Sequence, residues 1–276
     1  MKNIWLVVPC YNEEEVLPET SRQLKAVMQS MIDSGKISPE SKIAFVNDGS
    51  KDNTWNIISA LCTDDGIFAG INLSRNKGHQ NALLAGLMTA KKYADAVISL
   101  DADLQDDVDA IEKMVDNFIA GDDIVYGVRS SRKKDTFFKR FTAEGFYKFM
   151  AAMGVEIVFN HADYRLMSRR ALDALSEFDE VNLFLRGIVP QIGFRTSTVE
   201  YERKERLAGE SKYPLKKMLS FAFEGITSFS VRPLKIATTL GIFSLLVCLA
   251  MLIYCIVSKA TGHAVAGWAS IGASVW

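Results

Sequence analysis

The sequence predicts an α/β domain with a mostly parallel central sheet, followed by an amphipathic interface helix and a C-terminal transmembrane helix. Three observations lead there. Short apolar runs alternate with segments of helical spacing up to Arg129, the pattern of strands joined by crossover helices. Several of those runs end in polar residues, and open α/β sheets bind ligands beyond the carboxyl ends of their strands. Residues 236–257 carry no charged side chain, and about 20 apolar residues are enough for a helix to cross the hydrocarbon core.

The elements follow in order. Ile4 to Val8 is a continuous apolar run closed by Pro9; Leu24, Val27, Met28, Met31 and Ile32 then recur at helical spacing up to Gly35. Ile43 to Val46 is a second strand ending in Asn47-Asp48-Gly49-Ser50, after which Thr54 is expected to cap a short helix carrying Trp55, Ile58 and Leu61. Ile67 to Leu73 gives a third strand, then the polar stretch Arg75 to Asn81 and a helix over Ala82 to Tyr93. Ala96 to Leu100 leads into Asp101-Ala102-Asp103-Leu104-Gln105-Asp106, a helix with Val108, Ile111, Val115 and Phe118 follows, and Ile124 to Val128 forms a fifth strand before Arg129.

The acidic hexapeptide is the centre of the pattern. Asp101 and Asp103 are two residues apart and share a face on an extended chain, while a turn brings Gln105 alongside. Hard oxygen donors of this kind suit Mg²⁺ or Mn²⁺ holding a diphosphate. Alone, such a cluster also reads as an acidic turn capping the next helix. Its context is the recurrence of polar endings at Tyr11-Asn12-Glu13, Asn47 to Ser50 and Arg129, which would line one crevice. Tyr11 offers a ring for stacking, Asp48 an acceptor for ribose or base edges, and Gly49 a close backbone approach.

Beyond this half, 137–153 is aromatic and helical in spacing, either core or one wall of a groove for a lipid tail. Asn160 to Arg165 sets an acid and a base beside Leu166-Met167; the histidines 79, 161 and 263 read as solvated or hydrogen-bonded, since none has a partner at metal-ligand spacing. Val199 to Lys204 reads as a strand. In the polar loop after it, Arg206 and Lys212 flank Gly209 and could fold over an anionic substrate, or simply be solvated. Pro214 to Phe229 mixes Lys216 and Lys217 with apolar residues, as an interface helix does. The resulting organisation is 1–213 catalytic, 214–235 interface helix, 236–257 transmembrane helix, and 258–276 a loop with the start of an expected second transmembrane helix.

A net charge of -1 gives no sign of a nucleic-acid partner. The four cysteines, 10, 62, 248 and 255, have no paired spacing for zinc or a disulfide framework and fit a reducing, cytoplasmic compartment. The N-terminus does not read as a secretory signal. Arg232 and Lys235 before the span, against Lys259 after it, weakly orient the N-terminal side toward the cytoplasm.

In Val7 to Glu14, Val46 to Ser50, Asp101 to Asp106, Asp163 to Met167 and Arg206 to Lys212, the chain resembles the family 2 glycosyltransferases of the GT-A fold. Within them it is similar to the polyprenyl-phosphate glycosyltransferases, bactoprenol glucosyltransferases above all, with dolichol-phosphate mannose synthases more distant. The resemblance spans the soluble part in the family's order. It implies that Pro9, Tyr11, Asn12, Glu13, Val46 and Asp48 hold the nucleoside. Asp101, Asp103 and Gln105 would hold the metal and diphosphate, with Asp101, Ala102 and Asp103 also against the nucleotide sugar. It makes Arg129 a phosphate contact, Asp163 the catalytic carboxylate with Asp103 beside it, and Arg206 and Lys212 phosphate contacts from a loop. Asn47 departs from the commoner aspartate, so no charge is assigned there. The family usually has two membrane helices and often forms tetramers, so a homo-oligomer is expected.

The reading is an inverting transfer of a hexose, with UDP-glucose the expected donor and Mg²⁺ or Mn²⁺ the cofactor, to undecaprenyl (polyprenyl) phosphate at the cytoplasmic face of the cell membrane. Transfer of N-acetylglucosamine, galactose, mannose or an aminoarabinose derivative is the alternative, and a catalytically silent nucleotide-sugar-binding membrane protein is a third. A processive polysaccharide synthase is disfavoured, because only one full span is present and no QxxRW-like stretch is found.

Overall fold

The computed structural model describes residues 1–129, 161–178, 185–202, 232–262 and 267. The expected aromatic helix over 137–153, Asn160, the loop with Arg206 and Lys212, most of the interface helix, His263 and all of the apolar segment 264–276 but residue 267 lie outside the described residues.

The strands are β1 (Ile4–Cys10), β2 (Lys42–Asn47), β3 (Phe68–Asn72), β4 (Ala96–Ser99), β5 (Ile124–Arg129), β6 (His161–Ser168) and β7 (Thr196–Tyr201). They form one sheet in the order β3-β2-β1-β4-β6-β5-β7. β1 pairs in parallel with β2 and β4, β2 with β3, and β5 with β7; β6 runs antiparallel between β4 and β5. The sheet is therefore mostly parallel. Strands β1 and β4 are buried along their whole length, as continuous apolar runs in a sheet covered on both faces must be.

Helices α1 (Leu17–Asp33), α2 (Thr54–Asp64) and α4 (Ala110–Ile119) cover one face, where Leu24, Met28, Ile58, Ile111 and Met114 meet Leu6, Phe45 and Ile98. Helices α3 (His79–Ala90), α5 (Arg169–Leu175) and α6 (Leu185–Ile188) cover the other, where Leu83, Leu87, Leu172 and Ile188 meet Val7, Val46 and Val97. Gly86 lets α3 lie close on the sheet, since a Cβ there would stand 2.4 Å from Val7 Cγ1 and 2.7 Å from Val46 Cγ2.

Four differences from the sequence reading have physical causes. Strand β6 was not anticipated, because Asp163 and Arg165 interrupt its apolar run; the two charges neutralise each other inside the protein (below). Helix α3 begins at His79 rather than Ala82, with Gly78 ahead of it at φ 86°. Thr54 is the first residue of α2 and not its cap: its hydroxyl accepts the backbone N–H of Glu13 at 2.9 Å, tying the loop after β1 to α2. Strand β7 begins at Thr196, three residues before the expected start at Val199.

Helix α7 (Arg232–Ala260) encloses the charge-free 236–257 stretch and extends past it at both ends. The most apolar 18-residue window of its Leu234–Ala260 segment has a mean hydropathy of 2.8 and none of that window is buried against the protein, so the segment is long and apolar enough to cross a membrane. Leu240, Phe243, Leu246, Leu252 and Tyr254 all stand exposed, which water would penalise and lipid would not.

Candidate active site

The acidic hexapeptide follows β4 at the carboxyl edge of the sheet. Burial alternates along it: Ala102, Leu104 and Asp106 turn inward, while Asp101, Asp103 and Gln105 stand partly exposed. The shared face expected of Asp101 and Asp103 is thus present in the fold. The turn is held by three devices. Thr20 Oγ1 of α1 donates to the Ala102 carbonyl at 2.7 Å, and the Gln105 N–H donates to Asp103 Oδ1 at 3.1 Å, an Asx turn. Leu104 adopts φ 53°, a left-handed conformation that costs a residue with a Cβ about 1–2 kcal/mol; burial of its side chain in the core offsets this.

Continuing the β4–β6 register of Ser99 with Arg165 by two residues sets Asp101 level with Asp163. The Ser99 hydroxyl donates to the Asp163 carbonyl at 2.5 Å and fixes the backbone there. Asp163 is buried and surrounded by cations. Arg165 Nη2 donates to its Oδ1 at 2.9 Å, Arg186 Nη2 to Oδ2 at 3.1 Å and Arg186 Nε to Oδ1 at 3.3 Å. Gln80 Nε2 donates to Oδ2 at 3.3 Å, and His79 Nε2 lies 3.6 Å from the same oxygen and 3.7 Å from Asp101 Oδ1.

These neighbours set the charge states. Burial alone would raise the Asp163 carboxyl, but the adjacent His79 and the charges of Arg186 and Arg165 hold it well below the usual carboxylate range. For His79, burial works toward a lower value, and the nearby carboxylates of Asp163 and Asp101 outweigh that and raise it. Asp101 is pushed up to about 6 by loss of water, against the pull of His79, with repulsion from Asp106, Asp163 and Asp103 adding to the rise.

Asp106 faces away from Asp101 into a second cluster. Its Oδ1 accepts the Tyr201 hydroxyl at 2.5 Å and lies 3.7 Å from Arg129 Nη2, while Arg129 Nε donates to the Tyr201 oxygen at 3.4 Å. Arg129 therefore reaches the same edge as the acidic turn from β5, as the polar strand endings suggested.

On the other side of β1 the loops interlock. Tyr11 is 41% exposed, and Asn12 takes φ 54°. The Asn12 N–H donates to Ser50 Oγ and the Lys51 N–H to Asn12 Oδ1; Asn12, Glu13, Lys51 and Asp52 line a cavity of about 360 Å³. Asp48 is buried, and its two oxygens accept the backbone N–H groups of Lys77 and Gly78 at 2.7 and 2.9 Å. It thus anchors the loop after β3. Gly49 does allow a close backbone approach, but to that same loop: at φ 64° a Cβ would meet the Asn76 nitrogen at 2.5 Å. Pro9 and Val46 pair in register within the sheet with buried side chains. Asn47 donates from Nδ2 to Asn72 Oδ1 at 2.8 Å and accepts from the Ser50 N–H.

Among the described residues no group of three or more His, Cys, Asp or Glu side chains is already gathered to hold a metal. The donor set is nevertheless of the right kind. Mg²⁺ binds through one or two carboxylates plus water and substrate phosphates, and Asp101, crowded by other carboxylates, stands where a cation would relieve repulsion.

Sequence reasoning missed two contributors to this site. His79 had been read as merely solvated or hydrogen-bonded, and Arg186 was not singled out. The one local signal for Arg186 is a charge among Leu185, Gly187 and Ile188, and for His79 its position just after Gly78.

Residues 5–176 match Glycosyl transferase family 2. The uncharacterized glycosyltransferase YkoT of Bacillus subtilis (strain 168) is 53% identical over 98% of this chain and 80% of that protein. The bactoprenol glucosyl transferase of Shigella phage SfV is 42% identical over 87% of this chain and 76% of that protein. Among solved structures, mannosyl-3-phosphoglycerate synthase from Rubrobacter xylanophilus has a TM-score of 0.53 at 11% identity, covering 84% of this chain and 74% of that one. The mannosyltransferase PcManGT from Pyrobaculum calidifontis, in complex with GDP-Man and Mn²⁺, has a TM-score of 0.50 at 17% identity, covering 76% and 58%.

Proposed function

The chain belongs to glycosyl transferase family 2 and is a glycosyltransferase, and from that premise we propose that it transfers a hexose, with inversion, from a nucleotide sugar to a polyprenyl phosphate. The donor is UDP-glucose, and the catalytic domain, residues 1–213, faces the cytoplasm. The observation that carries the reading is the pairing of a carboxylate turn with a cation-rich acid at one sheet edge, in a chain that also carries the exposed apolar helix α7. Relatives named bactoprenol glucosyl transferase support the lipid acceptor.

Each residue then has a task. Tyr11, Asn12 and Glu13 take the nucleoside, Asn12 and Glu13 from the cavity beside β1, with Pro9, Val46 and Asp48 supporting them from behind, in the sheet and at the loop after β3. Asp101, Asp103 and Gln105 would hold Mg²⁺ or Mn²⁺, which when bound neutralises the leaving diphosphate. Arg129 takes a phosphate at the same edge, and Arg206 and Lys212 take phosphate from their loop. An oxygen of the lipid phosphate forms the bond to the anomeric carbon as the bond to the diphosphate breaks, the electron pair leaving with the diphosphate. The second pKa of a phosphate monoester is about 6, so near neutral pH little proton remains to be removed. Asp163, held ionised far below neutrality, is a weak base and serves mainly to orient its arginines.

The interface helix (214–235) and the span (236–257, within α7) keep this site at the membrane surface where the lipid head lies; assembly as a homo-oligomer belongs to the same proposal. The test is a panel of labelled nucleotide sugars incubated with the purified chain and undecaprenyl phosphate. Label entering the lipid fraction from UDP-glucose alone supports the full reading, label from another sugar replaces the donor, and no lipid label from any sugar overturns it.

A further inference from the structure

Arg129 and Asp106 face one another at the carboxyl edge without sharing a hydrogen bond. Arg129 Nη2 stands 3.7 Å from Asp106 Oδ1, beyond hydrogen-bond reach. The Tyr201 hydroxyl joins them instead: it donates to Asp106 Oδ1 at 2.5 Å and accepts, at a longer 3.4 Å, from Arg129 Nε. Burial, and after it the charge of Asp106, push this hydroxyl up. It therefore keeps its proton for Asp106 and offers Arg129 only lone pairs.

The phenol is itself held in place. Tyr201 is the last residue of β7 and is buried, and its ring meets that of Tyr164 edge to face at 5.3 Å. Tyr164 Oη donates to the Asp107 carbonyl at 2.9 Å. Two tyrosines, from β6 and β7, thus grip the back of the acidic turn at consecutive residues. Arg129 hangs on that support by Nε: among the described residues its Nη1 and Nη2 make no hydrogen bond, and its side chain is 28% exposed. An arginine tethered through Nε keeps its two-pronged end for the oxygens of a phosphate. Had the Asp106 carboxylate bonded both Nη nitrogens directly, that fork would be spent on the protein.

We propose that Tyr201 is a positioning residue for Arg129: by bridging Asp106 and Nε, it holds the guanidinium so that Nη1 and Nη2 receive a phosphate beside the acidic turn. That phosphate belongs either to the diphosphate of the donor or to the acceptor. The proposal rests on the reading of Arg129 as a phosphate contact, given above.

The experiment is a double-mutant cycle on the full chain in lipid nanodiscs, built from Tyr201→Phe, Arg129→Gln and the two together. Each is read by calorimetric affinity for UDP with Mg²⁺ and by the KM for undecaprenyl phosphate. Arg129→Gln should weaken one of these roughly ten- to hundredfold, as loss of a charged hydrogen bond does. A change in UDP affinity identifies the donor as the source of the phosphate, a change in KM the acceptor. Tyr201→Phe should weaken the same quantity about two- to tenfold and leave the other within about twofold, since loss of a neutral hydrogen bond only loosens the guanidinium. The double variant should be no worse than Arg129→Gln alone, because a residue that acts through Arg129 then has nothing left to position. If Arg129→Gln changes neither quantity, the phosphate reading of Arg129 falls and the proposal with it. If Arg129→Gln is weakened while folded Tyr201→Phe matches wild type, the reading of Arg129 stands and the positioning role is overturned. Losses that multiply in the double variant, or a Tyr201→Phe that moves both quantities alike, overturn it in the same way. Should Tyr201→Phe not fold, Asp106→Asn replaces it in the cycle: a weakening that Arg129→Gln does not compound supports the bridge, and wild-type values overturn it.

Discussion

Arg165 donates from Nη2 to Asp163 Oδ1 at 2.9 Å inside β6, two residues away on the same face of the strand, and both side chains are nearly inaccessible to water. A strand alternates its faces with period two, so this spacing places acid and base together without any help from the rest of the chain. The pair lets a charged segment lie in the middle of a sheet, and it limits what Asp163 can do.

The first consequence is kinetic. Asp163→Asn should retain measurable transfer, with the acid limb of the rate profile still set by the lipid phosphate near its pKa of about 6, since the amide keeps an acceptor oxygen for an arginine. Initial rates of both forms across pH 5–9 test this. A folded, UDP-binding Asn variant that is wholly inactive at pH 8 would show the carboxylate to be essential.

The same substitution should cost stability. Removing one partner of a buried ion pair leaves the other charge uncompensated and typically costs about 3–5 kcal/mol. The acid dependence has a definite sign. Because the folded carboxyl lies well below its usual value, its contribution is complete above the unfolded pKa of about 3.9 and is lost only as pH falls from there through the folded value. Denaturant midpoints of wild type and Asp163→Asn should therefore differ most near pH 5–6, the gap falling as pH rises above about 6.5 through the raised His79 value, whose charge Asp163 stabilises, and closing as pH drops below about 4. A gap that already narrows as pH falls from 7 to 5 contradicts the depressed value.

Metal removal separates chemistry from folding. Chelation should stop transfer, and added Mg²⁺ or Mn²⁺ should restore it, because the leaving diphosphate loses its main counter-charge. Asp103→Ala should be similarly inactive with a melting temperature close to wild type, since its side chain is partly exposed at the surface of the turn. Full turnover in chelator removes the metal from the mechanism.

Gly49→Ala tests the loop interlock. The added methyl would stand 2.5 Å from the Asn76 nitrogen with φ at 64°, so the Arg75 to Gly78 loop must move away from Asp48. The expected result is a loss of about 1–3 kcal/mol in stability together with weaker UDP binding. Wild-type stability and affinity in the variant would mean the loop has room that the backbone distances deny.

Much of this architecture was legible in the chain. A buried parallel strand must be apolar throughout, so β1, β2 and β4 announced themselves, and the acidic turn after β4 marked the carboxyl edge of the sheet before any strand was paired. Strand β6 was hidden because its two charges look like surface when their mutual neutralisation cannot be seen. Asp163 was reached by resemblance to a family, not from the local pattern.

The sequence alone determined the alternation of elements, the carboxylates at 101 and 103 on a common face, and the apolar length of α7, because each depends on residues only a few positions apart. Tertiary structure alone decided that Asp48 holds a neighbouring loop, that Gly49 makes room for backbone, and that His79 and Arg186 converge on Asp163. The reason is separation: Gln80 meets Asp163 across 83 residues and Leu185 across 105, and contacts of that span are set by sheet order and register, which no local periodicity encodes.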